Sequence, residues 1–180
     1  MRLALFGGSF DPIHNGHLEV VKAALELEEI DKIIIMPAFL SPFKHTSKAS
    51  EKERLGWAQE AFDGWEKCEV SDYEIRQKRS VPTVESVEYL KKHLHAEGKI
   101  SLIIGADNLA ALPRWKNYDE LMRECYIIVA TRSGFAVGEG YRILPVKYDI
   151  SSTDIRRGIS LDKLPPKIAD KIIKTYKEQT

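Results

Sequence analysis

The sequence Gly7-Gly8-Ser9-Phe10-Asp11-Pro12-Ile13-His14-Asn15-Gly16-His17-Leu18 joins a pair of glycines to two histidines between two regular segments. Residues 2–6, just before the glycines, are an apolar run typical of a buried strand in a parallel sheet. Residues 18–27, which follow, carry apolar side chains at helical spacing. The stretch therefore predicts a strand that ends in a glycine turn and passes directly into a helix.

A corner of this kind is suited to an anion, because the first turn of a helix has N–H groups without partners and a partial positive charge. Gly7 and Gly8 let the main chain approach a ligand that a Cβ would exclude. If the helix has begun by Asn15, His14 and His17 lie near one face, and their charge is easily tuned near neutral pH. The alternative is an ordinary corner with two surface histidines.

The glycine pattern excludes two common phosphate-binding motifs, since neither the Walker sequence nor the Gly-x-Gly-x-x-Gly spacing is present. Instead, His14-Asn15-Gly16-His17 resembles the His-x-Gly-His signature of nucleotidylyltransferases. With the residues before it, the run resembles the bacterial nicotinate-nucleotide adenylyltransferase family. Pantetheine-phosphate adenylyltransferases and cytidylyltransferases share the shorter signature. The substrate that accepts the nucleotidyl group must therefore be inferred from other residues.

The length of 180 residues favours one globular domain over residues 1–180. Lys plus Arg and Asp plus Glu number 27 each, so no basic excess favours nucleic acid as a partner. No signal peptide or membrane-spanning run is recognisable, which predicts a cytoplasmic protein without membrane contact. Cys68 and Cys125 are expected to be small buried residues in a reducing compartment, with a disulfide or metal binding as the minority alternatives.

Apolar runs and helical patterns alternate along the whole chain, as expected for an α/β protein. This order predicts a Rossmann-like, doubly wound parallel sheet with helices on both faces and ligands beyond the carboxyl ends of its strands. Strands are predicted at residues 2–6, 32–36, 67–70, 100–104, 126–130 and 143–146, and helices at 18–27, 51–62, 84–94, around 119–123 and at 166–176.

The loop after the second predicted strand brings Lys44 to the same edge as the glycines, where it would meet phosphate as a point charge. A solvated loop lysine is the alternative. The family that the chain resembles usually has Pro-Pro-His-Lys/Arg here, so Phe43 replaces a histidine and His45 follows the lysine.

Two further segments, one around Thr83 and one from Gly105 to Trp115, also resemble that family. Thr83 stands at a predicted helix start, although Pro82 replaces the family's tyrosine. Gly105 follows the apolar residues 101–104, and Asp107 just beyond it is suited to accept hydrogen bonds from ribose hydroxyls. Trp115, on a predicted loop, offers a flat face for a pyridine ring, with packing in the core as the alternative.

The last motif, Ile150-Ser151-Ser152-Thr153-Asp154-Ile155-Arg156, places hydroxyl groups and an arginine at a predicted helix start. A plain capping box is the alternative. The resembled family has Ile-Ser-x-Thr-x-Ile-Arg here and uses it to bind the triphosphate of ATP.

The resemblance implies adenylyl transfer from ATP to nicotinate mononucleotide by in-line attack, without a covalent enzyme intermediate. Mg²⁺ is expected to arrive with ATP, with no metal site on the protein. The alternatives are a nicotinamide-mononucleotide or pantetheine-phosphate adenylyltransferase, or a nucleotide-binding regulatory protein, which would be expected to lack one of the motif residues. The implied catalytic residues are His14, His17, Lys44 and Arg156; the ATP-binding ones are Gly7, Gly8, Ser9, Phe10, Gly105, Asp107, Ser151, Ser152, Thr153 and Arg156; the mononucleotide-binding ones are Ser9, Lys44, Thr83 and Trp115.

Overall fold

Six parallel strands form one sheet in the computed structural model, which describes residues 1–40, 46–147 and 150–178. The spatial order is β3-β2-β1-β4-β5-β6, so the direction of winding reverses between β1 and β4. This is the strand order of a doubly wound nucleotide-binding sheet, and it confirms the predicted fold class. The strands are β1 Leu3–Gly8, β2 Lys32–Pro37, β3 Cys68–Val70, β4 Ile100–Gly105, β5 Cys125–Ala130 and β6 Arg142–Leu144.

Helices cover both faces of the sheet, and within the described ranges none is long and apolar enough to cross a membrane. The α-helices are α1 Asn15–Leu25, α2 Glu51–Ala61, α3 Tyr73–Arg76, α4 Thr83–Leu94, α5 Tyr118–Glu124, α6 Ser152–Arg156 and α7 Ala169–Lys177, and 3₁₀ helices span Ala106–Arg114 and Leu161–Lys163.

The two faces of the sheet carry separate apolar cores because successive strand residues point to opposite sides. On one face, Phe6 packs in a cluster that includes residues of α1, α2, α6 and α7. On the other face, Leu5 packs in a cluster that includes residues of α4, α5 and the longer 3₁₀ helix. Elements from both faces therefore meet at the carboxyl edge of β1 and β4.

The predicted end of β1 and the predicted start of α1 are wrong. Gly7 and Gly8 belong to β1, where they pair with Met36 and Pro37, so the turn begins at Ser9. Helix α1 begins at Asn15 rather than at residue 18, because polar residues of its first turn serve the site instead of the core. The structure also contains α3 and the 3₁₀ helix Ala106–Arg114, which the sequence analysis did not predict.

Both cysteines are free thiols. Cys125 is buried and Cys68 half-buried, and burial raises the pKa of Cys68 to about 11 and that of Cys125 to about 12. Both thiols are therefore protonated and unreactive at neutral pH.

Candidate active site

A cavity of about 610 Å³ opens at the carboxyl edge of the sheet, where the strand order reverses. This volume and position are typical of small-molecule sites in doubly wound folds. Lys44 lies outside the described residues. The other predicted site residues all line the cavity: Gly7, Gly8, Ser9, Phe10, His14, His17, Thr83, Gly105, Asp107, Trp115, Ser151, Ser152, Thr153 and Arg156.

Two glycines at strand ends leave room for side chains that shape the cavity. A Cβ at Gly8 would lie 3.2 Å from the ring of Phe10, and one at Gly105 would lie 2.5 Å from Oδ1 of Asp107. Phe10 is only 2% exposed, and its ring packs edge-on against the imidazole of His17, with ring centroids 5.0 Å apart. Phe10 thus contributes to the site by holding His17 in place.

The two histidines stand together at the start of α1, as predicted. Their rings stack with centroids 3.8 Å apart, and His14 is the N-cap residue. The backbone N–H of His14 donates a hydrogen bond to Nδ1 of His17 at 3.1 Å. Because Nδ1 accepts, we assign the proton of the neutral His17 ring to Nε2, which makes that nitrogen a donor.

Both imidazoles are neutral at physiological pH, so the expected titration near neutrality does not apply to this structure. Burial, with the nearby positive charge of Arg132, lowers the pKa of His14 to about 3. Burial, His14 and Arg132 lower the pKa of His17 well below its usual value, although part of the residue remains accessible to solvent. Among the described residues, Arg132 and Arg156 therefore supply positive charge on this side of the cavity.

Arg132 is one of three cavity-lining cations that the sequence analysis did not predict, and the others are Arg114 and Lys116. Arg132 follows the carboxyl end of β5, lines the cavity, and donates from Nη1 to Oδ2 of Asp107 at 2.7 Å. The Asp107 carboxylate, predicted to accept from ribose, thus already carries one charged partner. A charged residue directly after a buried strand is the signal that could have identified Arg132, because parallel strands deliver such residues to the ligand edge.

The serine-rich motif at α6 uses its hydroxyl groups to hold the site together. Ser151 caps the helix by accepting from the backbone N–H of Asp154 at 3.1 Å, and it donates to Oδ2 of the same residue at 2.6 Å. Ser152 donates to the carbonyl of Pro12 at 2.8 Å. Arg156 donates to the Thr153 hydroxyl at 3.0 Å. Ser151 is therefore the N-cap of a helix whose residues line the cavity.

A buried arginine on α2 fixes the turn that follows β1. Arg54, 1% exposed, donates to the carbonyl oxygens of Ser9 at 2.6 Å, Ala38 at 2.7 Å and Phe39 at 2.8 Å. Its Nε also donates to the carbonyl oxygen of Ala49 at 3.4 Å, so four carbonyl partners satisfy the guanidinium, and a buried charge is tolerated only when it is hydrogen-bonded. Arg54 thus ties the turn at Ser9 to the chain that follows β2.

The opposite side of the cavity is formed by elements that pack on the other face of the sheet, and polar as well as apolar side chains line it. Thr83 is the first residue of α4, after the N-cap Pro82. Trp115 follows the 3₁₀ helix, as a loop residue, and packs on the same core cluster as α4. Its Nε1 is buried and has no hydrogen-bond partner in the described part of the chain. The cavity therefore joins an arginine and histidine side to a side with an aromatic wall.

Glu74, on α3, also lines this second side, and sequence reasoning did not single it out. It is 8% exposed, and it accepts a hydrogen bond from the Ser86 hydroxyl at 2.7 Å. Burial raises the pKa of Glu74 from 4.5 to about 7, with a smaller contribution from the charge of Glu85, while the Ser86 hydrogen bond opposes the rise. Glu74 therefore exchanges a proton with solvent near neutral pH.

This shifted carboxyl predicts a pH-dependent stability. Between pH 4.5 and about 7 the folded chain binds more protons than the unfolded chain, so stability is lost as pH rises. We expect the free energy of unfolding of the parent chain, relative to Glu74→Gln, to fall by up to roughly 3 kcal/mol across that window. Urea unfolding at several pH values measures it. Glu88→Gln, which changes an exposed carboxylate on α4, is the control, and its difference in stability from the parent chain should not depend on pH in this window. The prediction would be contradicted if the difference between Glu74→Gln and the parent chain were equally independent of pH.

The fold and cavity define a nucleotide-binding α/β protein of the cytidylyltransferase-like class, whose family model matches residues 5–158. Curated relatives narrow the class. "Probable nicotinate-nucleotide adenylyltransferase" of Sulfurimonas denitrificans is 47% identical over 98% of this chain and 96% of the relative. The protein of the same name from Nitratiruptor sp. is 42% identical over 98% of this chain and 99% of that relative. The chain therefore belongs to the nicotinate-nucleotide adenylyltransferase family of nucleotidyltransferases.

A solved structure supports the fold independently. Plasmodium falciparum nicotinic acid mononucleotide adenylyltransferase, complexed with NaAD, aligns with a TM-score of 0.76 over 99% of this chain and 95% of that chain. The two sequences are only 19% identical, so this likeness bears on the fold alone.

Proposed function

We propose that this chain transfers the adenylyl group of ATP to nicotinate mononucleotide in NAD biosynthesis. An oxygen of the mononucleotide phosphate attacks the α-phosphorus, the bond from that phosphorus to the bridging oxygen breaks, and pyrophosphate leaves. The product is nicotinate adenine dinucleotide. Catalysis of this type depends on alignment and on stabilising negative charge, so the protein needs no covalent nucleophile.

The observation that carries the proposal is the single cavity that joins two chemically different sides of the sheet edge. Neutral imidazoles and arginines on one side suit a triphosphate, because they offer oriented donors and charge. Trp115, on the other side, suits an aromatic ring. A mononucleotide whose phosphate reaches toward ATP would span both sides.

We assign the phosphate side to four described side chains. His14 and His17 donate to phosphate oxygens as neutral imidazoles, and Arg132 and Arg156 supply the charge. Lys44 remains a proposal from sequence for the same phosphates. As pyrophosphate leaves, these donors stabilise the charge that develops on it.

Magnesium enters this scheme as part of the substrate, Mg-ATP. Within residues 1–40, 46–147 and 150–178 no group of three His, Cys, Asp or Glu side chains is arranged to hold a metal ion. Magnesium retains water and binds phosphate oxygens readily, so the nucleotide itself can carry it into the site. We also place the reaction in the cytoplasm, since both thiols are free, as is usual in a reducing compartment.

Pyrophosphate release from Mg-ATP tests the proposal when nicotinate mononucleotide, nicotinamide mononucleotide and phosphopantetheine are compared side by side. Release with nicotinate mononucleotide is expected. Release only with phosphopantetheine would overturn the assignment, and ATP binding without release would favour a regulatory protein.

We predict that Trp115 forms one wall of the pyridine pocket, with nearby backbone N–H groups selecting the nicotinate carboxylate. An amide would leave such N–H groups facing N–H, and an unmade buried hydrogen bond costs roughly 1–3 kcal/mol. We therefore expect kcat/KM to favour nicotinate mononucleotide over nicotinamide mononucleotide by about tenfold to a hundredfold. Trp115→Ala should raise KM for the mononucleotide and leave ATP affinity nearly unchanged.

Trp115→Phe is the matched control, because it keeps an aromatic face and removes the buried indole N–H. Near-normal kinetics in this variant would mean that ring contact alone matters. Equal use of both mononucleotides by the parent chain, or an equal loss of ATP binding in Trp115→Ala, would contradict the predicted pocket.

A further inference from the structure

Asp11 lies in the middle of the glycine and histidine motif, yet its carboxylate points into the protein interior. The residue is 4% exposed. Its carboxylate accepts from the backbone N–H groups of Lys48 at 2.9 Å and Ala49 at 3.0 Å. The shortest of its described hydrogen bonds comes from the hydroxyl of Tyr176, at 2.6 Å, on a residue 165 positions further along the chain.

Tyr176 stands near the end of α7, and its ring packs against Trp57 with centroids 6.0 Å apart. Burial and the neighbouring carboxylate raise the pKa of Tyr176, so its hydroxyl remains a donor. Burial alone would raise the pKa of Asp11. Hydrogen bonds from Tyr176, Ala49 and Lys48, and the charge of Arg156, reverse that effect and keep the pKa low. The pair is therefore a hydrogen bond from a neutral hydroxyl to an ionised carboxylate, one of the stronger kinds.

The main chain at Asp11 and Pro12 connects the anchor, the hydrogen bond between Tyr176 and Asp11, to residues on the phosphate side of the cavity. The guanidinium of Arg156 donates to the carbonyl oxygen of Asp11. The next carbonyl, that of Pro12, accepts from Ser152 at 2.8 Å. His14 follows two residues later as the N-cap of α1. A displacement of Asp11 would thus reach an arginine, a serine and a histidine that line the cavity.

We propose that Tyr176 is a positioning residue for adenylyl transfer, acting through Asp11 on the alignment of Arg156 and the histidine pair. The inference rests on the proposed function. It assigns to the carboxyl-terminal helix a part in setting the geometry of the phosphate side. Small misplacements of groups around an in-line reaction reduce its rate strongly, so the anchor matters for turnover more than for folding.

A neighbouring residue supplies a matched comparison. Thr175 also ties α7 to the body of the protein, because its hydroxyl donates to Oε1 of Glu53 at 2.9 Å. Glu53 is engaged in the N-terminal cap of α2 with Ser50 and does not hold the motif segment. Thr175→Val removes a hydroxyl hydrogen bond from the same helix without touching Asp11.

The experiment compares Tyr176→Phe and Thr175→Val with the parent chain. Both variants lose one hydrogen bond to α7, so both are expected to lower Tm by about 2–4 °C. We expect kcat to fall about tenfold in Tyr176→Phe and to stay within about twofold in Thr175→Val. KM for the mononucleotide should change little in either, because Trp115 and Thr83 lie on the other side of the cavity.

The pH profile of kcat adds a readout that a purely structural role would not move. Without the Tyr176 hydroxyl the pKa of Asp11 rises, so the acid limb of the profile should shift to higher pH in Tyr176→Phe alone. The other ionisable groups facing Asp11 are Arg54, Arg156 and Glu53, and both variants retain them.

Equal kcat and an equal acid limb in the two variants would overturn the inference. If the parent chain releases no pyrophosphate with nicotinate mononucleotide, the proposed function fails instead. Affinity for a non-hydrolysable ATP analogue, measured by calorimetry on the same three proteins, then decides the inference. A weaker affinity in Tyr176→Phe alone supports it, and identical affinities overturn it.

Discussion

Replacing His17 by asparagine is expected to lower turnover by about 10²–10³-fold while leaving the free energy of unfolding close to that of the parent chain. The asparagine oxygen occupies the position of Nδ1, so it can still accept from the backbone N–H of His14, which His17 does at 3.1 Å. The proposed donor to the leaving group, Nε2, has no counterpart in asparagine. The variant therefore removes a proposed donor and keeps the local hydrogen bond.

His17→Gln is the complementary control. Its amide nitrogen reaches the position of Nε2 and can donate there, while the bond to His14 is lost at a cost of about 1 kcal/mol. We expect His17→Gln to be the less stable and the more active of the two variants. Single-turnover pyrophosphate release and urea unfolding measure both properties. Near-normal turnover in His17→Asn would remove His17 from the proposed chemistry.

Most of the sheet could be predicted because buried parallel strands have sequences that are short apolar runs. Each predicted strand corresponds to a strand of the sheet, and errors lie at the ends, as at Gly7 and Gly8. Glycine is the last residue of both β1 and β4, and at both positions it leaves space for a side chain of the site. At the end of β4, position 105 requires glycine because a side chain there would collide with the carboxylate of Asp107. Contacts of that kind exist only after the chain has folded.

The parts of the site that lie within one local motif could be predicted from the sequence. Contacts between residues from distant segments could not. His14 is the N-cap of α1 and His17 lies in its first turn, so the geometry of a single helix start brings their rings together. Arg132 reaches Asp107 across two neighbouring strands, a contact that depends on strand order. In the sequence, Arg54 resembles an ordinary polar residue of a surface helix, because its four carbonyl partners are known only from the folded chain.

Arg132→Met is expected to weaken binding of a non-hydrolysable ATP analogue by about tenfold to a hundredfold, since hydrogen bonds to charged groups contribute roughly 1.5–3 kcal/mol. Arg132 lines the cavity and its charge helps to lower the pKa of both neighbouring histidines. Its removal should therefore also raise the pKa of His14 and His17, which NMR titration of the imidazoles detects. Calorimetry at several salt concentrations measures the affinity, and the parent chain should show the steeper salt dependence.

Two control variants separate the charge of Arg132 from its pairing with Asp107. Arg132→Lys keeps the charge and loses the planar fork, so the histidine pKa values should stay low while affinity falls only part of the way. Asp107→Asn removes the carboxylate that accepts from Arg132 at 2.7 Å and keeps the guanidinium, so affinity for phosphates should be retained better than in Arg132→Met. Unchanged affinity and turnover in Arg132→Met would mean that Arg132 serves only to orient Asp107, and that the charge facing the triphosphate comes from Arg156 and Lys44.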